Sequence, residues 1–73
     1  MLFTIKRVSV FGDRIILNNS SQWVVPEPHR CTSQQWLETQ VVAVKELDAA
    51  HRLYQLVNLD TSQVAEAVSV NYP

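Results

Sequence analysis

Cysteine, glycine and charge of a single sign are what this 73-residue chain has least of. Cys31 is the only cysteine, so no disulfide can staple the monomer, and stability must come from packing or from a second subunit. A homo-oligomer is therefore an expectation raised by composition and size alone. A lone cysteine fits a reducing or an oxidising compartment equally well. Six basic and seven acidic residues give a formal charge of −1, and Lys6, Arg7, Arg14, Arg30, Lys45 and Arg52 are dispersed along the chain. No basic stripe marks a phosphate backbone as partner. Long apolar runs are missing too: none approaches the roughly 18–20 residues of a membrane helix. Leu2-Phe3-Thr4-Ile5-Lys6-Arg7 lacks the basic start and apolar core of a signal peptide. The expectation is a soluble cytoplasmic protein with no membrane attachment. A Gly-rich phosphate loop, paired catalytic carboxylates and a zincin motif are all absent, and the expectation is a non-enzymatic chain without a cofactor.

What is present favours sheet. Eleven valines and three isoleucines stand against five alanines, and branching at Cβ suits a pleated surface better than a helix turn. At this length there is room for one domain, residues 1–73, burying only about 60% of the surface its unfolded form exposes. The centre of the pattern is Arg14 to Val25, RIILNNSSQWVV. It has two apolar arms around Asn18-Asn19-Ser20-Ser21, with Trp23 in the second arm, and predicts a hairpin. The single glycine falls in Phe11-Gly12-Asp13, a turn signal that would pair Leu2 to Phe11 with Arg14 to Asn18. In the first of these strands Phe3 and Ile5 have one parity and Val8 and Val10 the other, which predicts a bulge near Lys6-Arg7.

Pro26-Glu27-Pro28 should end the Trp23 strand. His29 to Gln35 then follows as loop, with one helical turn near Thr32 to Trp36 on the capping-box spacing of Thr32 and Gln35. Further strands are expected at Gln40 to Lys45, Leu53 to Leu59 and Val64 to Val70. The connection between the first two is Glu46 to Arg52, and the turn before the last is Asp60 to Gln63. In the last strand Val64, Val68 and Val70 share a face that Glu66 interrupts. The fold class that follows is all-β, a small barrel of five to six antiparallel strands. A helical second half is the rival, since neither glycine nor proline occurs from His29 to Tyr72 and Leu47, Ala50, Leu53, Tyr54 and Val57 fit one helix face.

Three stretches also carry a resemblance. Ser20-Ser21-Gln22-Trp23-Val24-Val25, Trp36-Leu37-Glu38-Thr39-Gln40-Val41-Val42 and Tyr54-Gln55-Leu56-Val57-Asn58-Leu59-Asp60 resemble a pattern of small uncharacterised bacterial all-β domains. That pattern has a short turn and Trp-x-Val, then Trp-x-x-Gly-Asp-x-Val, then Tyr-x-Leu-x-Asn-x-Asp. Ser20 stands where the pattern has its turn glycine, and Thr39-Gln40 replaces Gly-Asp. The resemblance implies an SH3-like barrel and sheet after Gln40, and no activity.

Chemistry-bearing side chains are few. Trp36 and Tyr54 are the candidate binding residues: in a shared exposed groove they would grip an extended peptide, and Trp36→Ala would then remove binding without unfolding the chain. An edge strand is the other docking mode, with a protein partner or a second copy as occupant. His29, Cys31 and His51 are the only soft metal-ligand types, one ligand pair short of a tetrahedral zinc site, and no third partner completes a Cys-His nucleophile. Asp60-Thr61-Ser62 has the letters of an aspartic-protease signature and equally those of a β-turn. Asp60 to Val68 could open a helix-turn-helix unit, the basis of a DNA-binding alternative that requires the helical second half.

Overall fold

The strands follow the branched and aromatic runs closely. The computed structural model describes residues 2–72. It contains β1 (Leu2–Val8), β2 (Arg14–Leu17), β3 (Gln22–Val24), α1 (Glu27–Ser33), β4 (Val41–Asp48), a 3₁₀ turn (Ala49–His51), β5 (Leu53–Asn58) and β6 (Gln63–Ser69). The six strands close into an antiparallel barrel in the order β1-β2-β3-β6-β5-β4. The helical rival is thereby overturned, because both arms after Gln40 pair as ladders.

The bulge lies where the parity change put it. Ile5 pairs with Leu17 and Arg7 with Ile16, leaving Lys6 as the extra residue. The bend lets β1 pair with β4 through Leu2, Phe3 and Thr4 and with β2 from Ile5 onward. The RIILNNSSQWVV hairpin also forms, with Ile15 opposite Trp23. Its turn is held from inside: Trp23 Nε1 donates to Ser21 Oγ at 2.9 Å, and the Ser21 hydroxyl donates to Asn19 Oδ1 at 2.6 Å. The fully buried indole thus keeps its hydrogen bond.

Two expectations are corrected and one open point is decided. First, the helical segment starts earlier than Thr32. Pro26 is the N-cap and Pro28 sits in the first turn, where a missing N–H costs nothing because that donor has no intrahelical partner. Thr32 lies in the last turn, its carbonyl accepting from Gln35 N. Second, β1 stops at Val8, and Ser9 to Asp13 is all turn. Ser9 Oγ donates to the Asp13 carboxylate at 2.5 Å and accepts from Arg14 N at 2.9 Å; the first of these bonds holds the Asp13 carboxyl below its ordinary pKa. The open point is the direction of the valine face of β6, which is the outer one. Ala65, Ala67 and Ser69 point inward. Their cross-strand partners are Leu56, Tyr54 and Trp23, so each small residue makes room for a large one in a narrow lumen.

The ends of the barrel are plugged differently. At one end Tyr72 packs on Phe3, Trp23 and Tyr54, with centroid separations of 6.0, 5.2 and 5.5 Å. At the other, α1 and Trp36 lie against the start of β6, Trp36 Nε1 donating to Gln63 Oε1 at 3.0 Å. The helix end is clamped to the β1–β2 turn by Ser33 Oγ, which donates to Gly12 O at 2.7 Å. Gly12 has φ +72°, and a Cβ there would meet Gln34 N at 2.6 Å and Arg30 O at 2.8 Å.

Two substitutions with opposite signs follow. Gly12→Ala should lower stability by at least about 1–2 kcal/mol, because the left-handed conformation alone costs that much and the helix end must also shift. Thr39 is a β-branched residue at φ +73°, so Thr39→Gly should raise stability by about 0.5–1 kcal/mol after the glycine's own entropy is deducted. Urea midpoints at constant m-value measure both.

Candidate interaction surface

The two candidate binding residues do not share an exposed groove. Trp36 is 2% exposed and Tyr54 9%, and both belong to the hydrophobic core with Ile5, Ile15, Leu17 and Trp23. Tyr54 stacks edge-on against Trp23 at 5.2 Å. Only the margin of Trp36 reaches an open depression of about 430 Å³, shared with Val8, Leu37 and Glu38. The barrel is closed, and the ladder that closes it covers Val41 to Ala43 of β4, so the edge expected for docking is reduced to the later residues of β4, which pair with β5 alone.

The remaining candidates are local structure. His51 Nδ1 lies 2.7 Å from Asp48 Oδ2, and the same Asp48 carboxylate accepts from Ala50 N, capping the 3₁₀ turn. Cys31 is exposed on α1. Among the described residues no three His, Cys, Asp or Glu side chains come together as metal ligands. Asp60 is a turn residue: its Oδ2 accepts from Val41 N at 2.7 Å. Asn58, fully buried, accepts from Asp60 N and Thr61 N through Oδ1 and donates through Nδ2 to Gln40 Oε1 at 2.8 Å. Gln40 Oε1 also accepts from Leu37 N. This polar knot ties the β5–β6 turn to the segment before β4, and it occupies the Asn-x-Asp positions of the third stretch. Gln40 and left-handed Thr39 stand where the second has Gly-Asp.

Val10, Phe11 and Leu37 are exposed in loops, and a second, ordered set of exposed apolar residues lies on the strands. The registers place outward-facing residues of β1, β4, β5 and β6 in rows across the strands. One row is Leu2, Ala43, Val57 and Val64. The next is Lys45, Gln55 and Glu66, and a third brings Leu53 beside Val68, with Leu47 in the bulge of β4. Leu2 is 61% exposed, and Leu47, Val64 and Val68 are each about 40% exposed. Single exposed apolar residues need no explanation; here two apolar rows flank the polar Lys45-Gln55-Glu66 row. Sequence reasoning missed this face because it had no way to say which parity of β6 looked outward. The signal available was the alternation of the small residues Ala65, Ala67 and Ser69 with Val64, Glu66 and Val68.

No family model matches the chain, and neither curated proteins nor solved structures gave a match.

The burial of Trp36 reverses the expectation for its removal. Trp36→Ala should cost about 3–5 kcal/mol, a large share of the roughly 5–15 kcal/mol that holds a small domain folded. Loss of the cooperative thermal transition is the expected result. A variant that melts like the parent would return Trp36 to the surface.

Proposed function

We propose that this chain is a non-enzymatic interaction module that works by protein–protein contact through the outer face of β4, β5 and β6. The observation that carries the reading is the outward valine and leucine set on that face, Val57, Val64, Leu53 and Val68, on strands whose inward residues already fill the core. Burying such side chains is worth about 25 cal/mol per Å² of apolar surface, so a partner gains from covering them. The rigidity of a closed barrel adds to this, because a preorganised face loses little conformational freedom on docking.

Kinship with small bacterial SH3-like barrels is part of the same proposal. Its support is that the marked residues of the three stretches each hold the barrel together: Trp23 and Val25 in the core, Trp36 as end plug, Asn58 and Asp60 in the polar knot. A cytoplasmic location is the companion proposal. Among the described residues no helix is long and apolar enough to cross a membrane.

The test is a titration of dilute protein with anilinonaphthalene sulfonate, followed by two-dimensional NMR. Amide shifts should concentrate on Leu53, Val57, Val64 and Val68, and Val64→Glu should abolish them while leaving the melting temperature within a few degrees of the parent. Shifts confined to the Trp36 depression, or none anywhere, would sink this choice of surface.

A further inference from the structure

The central row of the outer face has a symmetry that its apolar neighbours do not reveal on their own. Lys45, Gln55 and Glu66 lie directly across from one another on β4, β5 and β6. A cation and an anion therefore flank a neutral residue on the middle strand. Lys45 and Glu66 are two strand spacings apart, roughly 9–10 Å, too far to pair directly. Among the described residues the one contact within 4.0 Å between a basic and an acidic side chain is His51 with Asp48. Both charges are thus uncompensated inside the chain, on a face that is otherwise apolar.

We propose that the occupant of this face is a second copy of the same chain, docked about a two-fold axis that lies between the two faces and runs along β5. This rests on the reading of the face as a contact surface and names its partner. Rotation about that axis keeps β5 over β5 and exchanges β4 with β6. Lys45 of each copy then comes over Glu66 of the other, giving two intermolecular ion pairs, while Gln55 meets Gln55. The apolar rows match under the same operation: Val57 lies over Val57, Ala43 over Val64 and Leu53 over Leu53. A two-fold axis running across the strands would instead stack Lys45 on Lys45 and Glu66 on Glu66. A partner carrying charge of one sign would leave one of the two facing a like charge. Self-docking along β5 compensates both, and isologous contacts of this kind are the commonest way soluble chains associate.

The experiment is sedimentation equilibrium on the full chain from micromolar to millimolar concentration, with Lys45→Glu, Glu66→Lys and the double exchange Lys45→Glu/Glu66→Lys. The parent should show a monomer–dimer equilibrium. Each single variant places like charges opposite each other twice and should weaken the dimer about tenfold or more, and the double exchange should restore it to within about threefold. Circular dichroism melts of all four proteins, taken at concentrations where the parent is monomeric, should agree, since neither residue belongs to the core cluster. A parent that stays monomeric at millimolar concentration overturns self-docking. If it still binds the dye at Val57 and Val64, the contact surface survives and only its occupant is wrong; if it does not, both readings fail. A dimer indifferent to the single exchanges, or one the double exchange does not rescue, places the interface elsewhere and also overturns the inference.

Discussion

The volume of the lumen is the constraint on which the rest of this structure depends. A barrel of six short strands encloses too little space for large side chains to point inward from every strand. Here Trp23, Tyr54 and Leu56 take that space, and β6 answers them with Ser69, Ala67 and Ala65 at the paired positions. The pleat then decides the opposite side, because inward small residues at alternating positions force Val64, Glu66 and Val68 outward. The apolar outer face is therefore a consequence of how the core is filled.

Polar groups inside the barrel are few and each is satisfied. The indole of Trp23 donates to Ser21, that of Trp36 to Gln63, and the Asn58 amide is bonded on both sides. No buried side-chain nitrogen or oxygen among the described residues lacks a partner. Such networks fix geometry, since one missing partner would leave a desolvated group uncompensated. They also explain how a chain with a single glycine makes its turns. Gly12 is spent where the helix end crowds the backbone. Ser20, Thr39, Arg52 and Ser62 adopt left-handed conformations without it, each beside a side-chain or backbone hydrogen bond that holds the turn.

Closure and plugging together move the functional question to the outside of the barrel. The ladder between β1 and β4 closes the barrel over Val41 to Ala43, and Trp23, Trp36, Tyr54 and Tyr72 are taken by the core and its two end plugs, while Phe11 stays exposed in the β1–β2 turn. In the proposed contact the convex face meets the partner, and there the Lys45-Gln55-Glu66 row supplies direction and the valines supply area.

The sequence by itself determined the sheet class, the Arg14 to Val25 hairpin, the bulge at Lys6 and the approximate position of every strand. These depend on branching at Cβ, on alternation and on turn residues, which are properties of neighbours along the chain. It misplaced the start of the helix because Pro28 has the same local signature at a strand end and in a first helical turn. It left Trp36 and Tyr54 as binding candidates because an aromatic residue looks alike whether it closes a core or lines a groove. Only the tertiary structure decided which parity of β6 faced the lumen, that the sheet closed on itself, and that Lys45 and Glu66 fell in one row. Each of these depends on cross-strand register and on the volume opposite a side chain, and no window of neighbouring residues contains either.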